Sequence, residues 1–386
     1  MEHQVKIVIG ANYGDEGKGL MSRYFTKEFL KAGKKPVTVF YNGSAQRGHT
    51  ADYEDGTRHV FHNFCAGAKE GGATFYASTF LPHPMDFCRE LDELDYTPKV
   101  YCDPRCVIVT PLDLLADHII LDSIELKRGR EFGSCGYGTW SATDRIKAHP
   151  EIAYTLSDFA RGGYWLKMRK MIPWLWERLE RFEVDLLKMP FWNRYLDKSA
   201  DAYGLKPLLA HFERDLQRFF EVTRGTDFEH IWDGYDSFVF EGAQGLLLDK
   251  DLPDPWTTTS NTGLKNPLNI LSPYSDYEAE VCYVTRPYIT RHGFGPLPGE
   301  TWNAAWMEDI ICDETNIYNS FQGNLRFAKM DWREFDKRIA EDFKPAEPLH
   351  FRSTIALTHC NEVLTQGCGE TYISDSPCKV RRASYA

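Results

Sequence analysis

The sequence predicts an α/β protein: a central, mostly parallel sheet covered by helices. Three observations lead there. Short apolar, β-branched runs recur at residues 4–10, 36–41, 237–242, 279–291 and 353–359. Stretches with helical spacing lie between them. Polar loops follow several runs, at 11–18, 42–50, 242–262 and 359–362, and in open α/β sheets ligands sit beyond the carboxyl ends of the strands.

Each element has its own reason. QVKIVIG (4–10) is short, apolar and β-branched, as a buried strand should be. The stretch that follows the loop, GLMSRYFTKEFLKAG, has helical spacing, with Leu20, Tyr24 and the Phe25/Phe29 pair on one face and Gly33 as the C-cap. PVTVFY (36–41) reads as a second strand, so strand, loop, helix and strand follow in the order of a parallel unit. Residues 107–126 read as a helix starting near Pro111. Residues 160–225, rich in Trp, Leu, Arg and Glu and poor in glycine, read as a helical excursion over the sheet. SFVFEG (237–242) is a buried strand ending at glycine, and STIALTH (353–359) is the last strand expected. Without repeats, low-complexity segments or linker-like stretches, residues 1–386 are expected to form a single large domain.

The bulk numbers narrow the function. The 386 residues suffice for a large core, and 42% apolar with 26% charged residues suits a soluble enzyme. A net charge of −11 opposes nucleic acid as a partner. No apolar run nears the ~18 residues of a membrane helix, and the N-terminus lacks the flanks of a signal peptide. Ten cysteines are scattered; Cys102 and Cys106 form a C-x3-C pair, but no second pair follows at zinc spacing. Free thiols in a reducing cytosol are therefore expected.

The loop ANYGDEGKG (11–19) carries the chemistry. A Walker A loop would read G-x-x-x-x-G-K followed by Ser or Thr. Here Asn12 stands at the first glycine and Gly19 at the hydroxyl position, so the usual Mg²⁺-binding hydroxyl is missing. Gly14, Gly17 and Gly19 still allow close backbone approach to phosphate, and a helix N-terminus follows. Asp15 is then the group to meet Mg²⁺ or to act as a base.

Gly14-Asp15-Glu16-Gly17-Lys18-Gly19 resembles the signature loop of adenylosuccinate synthetases. Further stretches resemble that family in family order: Gly48-His49-Thr50, Phe240-Glu241-Gly242-Ala243-Gln244-Gly245 with Leu247-Leu248-Asp249, PWTTTSN (255–261), and Thr290-Arg291-His292-Gly293-Phe294-Gly295-Pro296. Residues 155–235 match loosely. The resemblance implies a P-loop-related fold with helical insertions and a C–N bond-forming ligase. Such an enzyme joins L-aspartate to C6 of a 6-oxopurine nucleotide through a 6-phosphoryl intermediate, at the expense of a nucleoside triphosphate.

It also implies roles. Asp15 takes the N1 proton and meets Mg²⁺, together with the Gly48 carbonyl. His49 and Lys18 stabilise charge on the transferring phosphoryl. Gly14, Glu16, Gly17, Lys18, Gly19, Gly48 and Thr50 would hold the triphosphate. Asp15, Gln46, Ser134, Cys135, Gln244 and Thr258 would hold the purine nucleotide, with Arg145 or Lys147 reaching its phosphate across a homodimer interface.

Three departures from the family are informative. Gln46 replaces an asparagine that contacts the nucleotide. An arginine run is reduced to Gly323-Asn324-Leu325-Arg326-Phe327, in which Arg326 is expected to clamp the aspartate carboxylate and Asn324, also expected at the aspartate, replaces an arginine that approaches the ribose and the aspartate. The Thr-Lys-x-Asp element that selects guanine becomes Thr358-His359-Cys360-Asn361, and an Asn can pair with the adenine edge. Ser374-Asp375-Ser376-Pro377 resembles the closing base-site loop, so His359, Asn361, Ser374, Ser376 and Pro377 complete the expected triphosphate site. The changes resemble the phage branch, which uses dGMP on the way to diaminopurine DNA, with ATP or dATP as donor. Asp15 counts against that branch, where a small residue can stand at this position. The alternatives are an ordinary synthetase using IMP and GTP, another purine-like acceptor, a plain nucleotide kinase, which the broken Walker loop opposes, and a silent nucleotide-binding protein, which Asp15 and His49 oppose.

Overall fold

The structure, a computed structural model, describes residues 3–53, 55–128, 134–196, 205–254, 256–300, 322–359 and 379–382. Its strands are β1 (His3–Gly10), β2 (Pro36–Phe40), β3 (His49–Asp52), β4 (Arg58–Phe61), β5 (Ala73–Tyr76), β6 (Val100–Cys102), β7 (Thr223–Gly225), β8 (Ser237–Glu241), β9 (Tyr277–Thr285), β10 (Tyr288–Arg291), β11 (Arg326–Lys329), β12 (Arg352–Leu357) and β13 (Lys379–Arg382). Among the described residues, nine form one sheet in the order β13-β12-β9-β1-β8-β2-β5-β6-β7, with every neighbouring pair parallel.

Alternation along β1 sends its side chains to two apolar layers. Val8 joins Val239, Cys282, Val284 and Ala356 under Met21, Phe25 and Phe29 of helix α1 (Lys18–Lys31). Ile7 and Ile9 point the other way, into a layer with Val39, Phe240, Val281 and Tyr283 that is covered by Phe335 and Ile339 of the helix Trp332–Phe343. Helices thus cover both faces, as expected.

Several expectations shift. The buried face of α1 is Met21, Phe25 and Phe29, while Tyr24 is 44% exposed. Ala32 is its C-cap, and Gly33 lies one residue beyond, at φ +71, the left-handed position that closes such helix ends. The run 279–291 is two strands. Thr285 ends β9, Pro287 cannot donate to a ladder, and β10 leaves the sheet to pair antiparallel with β11. STIALTH is not the last strand, because β13 follows and pairs with β12. β7 falls at the end of the segment read as helical.

The described residues of the excursion are otherwise mostly helical. Its helices Tyr164–Arg181 and Lys206–Val222 bury Met168, Met171, Leu175, Leu209, Phe212 and Phe219. These pack with Phe87 of α2 (Pro84–Glu93) and with Leu112, Ala116 and Ile119 of α3 (Pro111–Arg128). The excursion therefore forms an outer layer over α2 and α3. It also sends Arg178 to Ser141 (2.7 Å) and Asp144 (2.6 Å) of α4 (Thr139–Ala148), the helix that follows the Ser134–Gly138 loop.

Candidate active site

Gly14, Asp15 and Gly17 all adopt positive φ, at 108°, 62° and 91°, so the loop between β1 and α1 turns tightly on itself. Glu16 holds the turn. Its Oε1 accepts from the N–H groups of Asn12 (2.8 Å) and Gly14 (3.0 Å), and Lys18 Nζ lies 3.3 Å from its Oε2. Glu16, expected at the triphosphate, thus turns inward and accepts from N–H groups of its own loop.

Asn12 and Gly19 explain why the Walker pattern is broken. Asn12 donates from Nδ2 to Thr285 Oγ1 (3.0 Å) and accepts from Arg338 at Oδ1 (2.6 Å), tying the loop to β9 and to the helix Trp332–Phe343. A Cβ on Gly19 would lie 2.8 Å from His49 Cβ and 3.0 Å from His49 Cα. Any Ser or Thr there would collide with the first residue of β3.

His49 is buried, with Nδ1 2.5 Å from Glu241 Oε1. Glu241 ends β8, is fully buried and also faces Arg47 Nη1 at 3.5 Å. Burial pushes the His49 imidazole down, Glu241 pulls it up, and Arg47 and Lys18 push it down again, so it ends below its ordinary value. Burial also raises the Glu241 carboxyl, but His49 and Arg47 bring it below its usual range.

Asp15 is half-buried. Its Oδ2 is 2.8 Å from His292 Nε2, and its carbonyl accepts from Arg286 Nε at 2.6 Å. Burial raises the carboxyl, but His292, Arg286 and Lys18 together hold it well below the usual carboxylate range. The charge of Lys18 bears on both Asp15 and His49.

The remaining residues divide. Asn42 bonds Ala243 in both directions (2.9 and 3.2 Å), clasping the ends of β2 and β8 and setting the Gln46 loop beside Gln244. Gln244 has φ 63°, and its buried Oε1 has no hydrogen-bond partner among the described residues. Gln46 accepts from Thr139 of α4 (3.4 Å). Ser134 and Cys135 precede that helix, with Gly136 N donating to Ser134 Oγ (3.3 Å). Thr258 N donates to Leu248 O (2.7 Å), and its neighbour Thr259 meets Thr143 of α4 (3.2 Å). Gln46, Ser134, Cys135, Gln244 and Thr258 therefore sit on adjoining segments. Gly48 is exposed, and Thr50 lies in β3 opposite Val60. His359 sits beside Thr358, whose hydroxyl donates to Glu16 O (2.8 Å), so this end of the chain adjoins the loop. Asn361, Ser374, Ser376 and Pro377 lie outside the described residues.

Two arginines depart from expectation. Arg145 is fully buried, paired with Asp113 through two 2.8 Å bonds, and donates to Ile152 O (3.1 Å). It is not placed to reach a phosphate across an interface, whereas Lys147 is exposed. Arg326 spends its guanidinium on both carboxylate oxygens of Glu300 and on the carbonyls of Gly293 (2.9 Å) and Gly295 (3.0 Å). It is a strut of the 292–296 loop and not an open carboxylate clamp. Asn324 is exposed.

Sequence reasoning left Glu241, His292, Arg286 and Arg338 unassigned. The first two lay inside quoted motifs, where an acid beside a strand-ending glycine and a histidine in a glycine-rich loop were visible signals.

Among the described residues, no group of three or more His, Cys, Asp or Glu could hold a metal ion. One carboxylate and a carbonyl, completed by substrate phosphates, suit Mg²⁺, and the Asp15 carboxylate and the exposed Gly48 carbonyl would be the protein's share of such a set. No described helix is long and apolar enough to cross a membrane.

A family model described as adenylosuccinate synthetase matches residues 7–324. The adenylosuccinate synthetase of Petrotoga mobilis is 28% identical over 305 residues, which cover 76% of this chain and 65% of that protein's length. A fully ligated adenylosuccinate synthetase from Plasmodium falciparum has the same fold, with a TM-score of 0.67 at 17% identity, covering 92% of this chain and 76% of the other. The succinoaminodeoxyadenylate synthetase of cyanophage S-2L, bound to dGMP and to dATP as an energy donor, matches at a TM-score of 0.58 and 14% identity, covering 92% and 85%. With a family model spanning most of its length, and with Asp15 and Lys18 where the loop after β1 meets α1 and His49 opening β3, the chain belongs to the adenylosuccinate synthetase family.

Proposed function

We propose that this protein joins L-aspartate to C6 of a purine nucleoside monophosphate at the expense of a nucleoside triphosphate. The observation that carries the reading is an ionised Asp15 and a His49 backed by Glu241, with the charge of Lys18 acting on both. Asp15 accepts the N1 proton as O6 attacks the γ-phosphorus. Lys18 and the His49–Glu241 pair face the charge that builds on the transferred group. The aspartate amine, having lost one ammonium proton, then forms the C6–N bond, the C6–O bond breaks, orthophosphate leaves, and a second proton passes to solvent while one stays on N6. Mg²⁺ held by Asp15 and the Gly48 carbonyl would supply positive charge at the triphosphate. Gln244, whose Oε1 has no partner among the described residues, and Gln46 are the side chains suited to the nucleotide.

For substrates, dGMP with ATP or dATP is the finer reading. Asn324 in place of the family arginine, Asn361 in place of the guanine-selecting Asp, and the likeness in fold to the cyanophage enzyme support it. A second reading, IMP with GTP, draws on the retained Asp15. In a homodimer, the partner's Lys147 would meet the nucleotide phosphate.

The test is incubation with Mg²⁺ and L-aspartate across IMP, GMP and dGMP, each with ATP, dATP or GTP. Aspartate-dependent orthophosphate release and an N6-succinyl product are expected, fastest with dGMP and ATP or dATP. Faster turnover with IMP and GTP would select the second reading. Nucleoside diphosphate formation without aspartate dependence would make it a kinase, and no turnover would make it a silent binder.

A further inference from the structure

We infer that His292 is a positioning residue for the Asp15 carboxylate, an inference that rests on the ligase reading above. Asp15 holds a left-handed backbone at φ 62°, a conformation that non-glycine residues avoid. One short stretch, Arg286 to His292, holds it there. Arg286 Nε donates to Asp15 O at 2.6 Å, and Thr290 Oγ1 donates to Gly14 O at 3.1 Å. The Arg291 guanidinium lies 4.4 Å over the Tyr13 ring. These contacts fix the loop. His292 adds what they do not, the contact to the carboxylate itself, Nε2 to Oδ2 at 2.8 Å.

The consequence is geometric. A carboxylate at a half-buried loop position can rotate about its side-chain bonds and present either oxygen. With Oδ2 committed to His292, Oδ1 is left to accept a proton, from one rotamer. Proton abstraction depends steeply on such placement. The loop carrying His292 is itself braced, because Arg326 donates to Gly293 O and Gly295 O and is locked in turn by Glu300. The arginine expected at the aspartate substrate thus supports the residue that orients the base.

The experiment compares wild type, His292→Ala and His292→Gln, measuring kcat and the KM values for purine nucleotide and aspartate separately, with melting temperature alongside. Gln carries an N–H donor of similar reach but no titratable ring. The Ala variant should lose roughly 10- to 100-fold in kcat, with each KM changed far less, and the Gln variant should recover most of that loss. An Ala variant with wild-type kcat overturns the inference. So does a Gln variant as slow as Ala at an unchanged melting temperature, or a loss confined to KM. Should Ala fail to fold, Gln against wild type carries the test: kcat near wild type supports positioning, and a deep loss of kcat in a folded Gln variant overturns it. Wild-type protein without aspartate-dependent turnover would instead sink the ligase reading on which the inference stands.

Discussion

His49 Nδ1 lies 2.5 Å from Glu241 Oε1, and the same carboxylate faces Arg47 at 3.5 Å, all of it buried. Glu241 is thus shared between a histidine and an arginine. A neutral His49 that donates its Nδ1 proton to Glu241 keeps a lone pair at Nε2, and only the imidazolium donates from both nitrogens. Burial favours the neutral form in the unliganded protein, and Glu241 is the group working against it. Glu241→Gln should therefore cost roughly 10- to 100-fold in kcat, as loss of an orienting carboxylate does elsewhere. It should also lower stability by about 3–5 kcal/mol, because Arg47 is left as a buried charge without its counterion. Steady-state kinetics and urea unfolding check the two effects. A variant with wild-type kcat would remove the pair from the mechanism.

Gly19→Ala tests why the Walker hydroxyl is missing. Inside a helix, Ala normally stabilises relative to Gly by about 1 kcal/mol. Here the added Cβ meets His49 Cβ at 2.8 Å and His49 backbone at 3.0 Å. The contact is with backbone, which cannot swing aside as a side-chain tip could. Melting temperature should fall instead of rising, and kcat should fall with it as His49 is pushed from Lys18. A thermal melt showing a stabilised, active variant would mean that β3 has room to retreat.

The central strands and the phosphate loop were legible because their signals are contiguous: an apolar β-branched run, then glycines and charges within eight or nine residues. β5 and β6 were not, since ATFY and VYC are too short to carry a period. Pairing was less legible still. β10 and β11 form a ribbon across residues distant in sequence, and nothing local in TRHGFGP says that it leaves the sheet. Arginines were the hardest case. Their residue type predicts a carboxylate or phosphate, but only the fold says which. Arg145 met Asp113 and Arg326 met Glu300, both acids of this chain, where substrate anions were expected. Glu241 and His292 were visible in motifs but silent about their partners, because those partners come from other loops at the same sheet edge.

Arg145 and Lys147 separate cleanly by substitution. Arg145→Ala leaves Asp113 charged in a site with no solvent access, and should cost about 3–5 kcal/mol in urea unfolding. Lys147→Ala, on an exposed position, should stay within about 0.5 kcal/mol of wild type. Its effect should instead be a higher KM for the purine nucleotide if the partner's Lys147 reaches the phosphate. An Arg145→Ala protein of native stability with a raised nucleotide KM would reverse the assignment.

Asp117 gives the fold a pH dependence that is opposite in sign to that of a salt-bridged acid. It sits in α3, almost fully buried, with Oδ1 accepting from Ser141 N (3.1 Å) and Ser141 Oγ (2.5 Å). Burial pushes its carboxyl from the usual 3.8 up to about 7, against the pull of Ser141 and Arg178. Between those two values the unfolded chain has released the proton while the folded chain keeps it. The folded state then binds more protons, so stability falls as pH rises through that window and levels off above about 7. Asp117→Asn retains an oxygen for Ser141 and removes the titration. Unfolding free energies measured from pH 5 to 8 should decline more steeply for wild type than for the Asn variant, and the two should run parallel above the window. Parallel curves throughout would mean that Arg178 keeps Asp117 ionised in the fold. The outcome bears on the site because the next residue of α3, His118, holds Gly136 O through Nε2 at 2.7 Å, tying this stretch of the helix to the loop expected to hold the purine nucleotide.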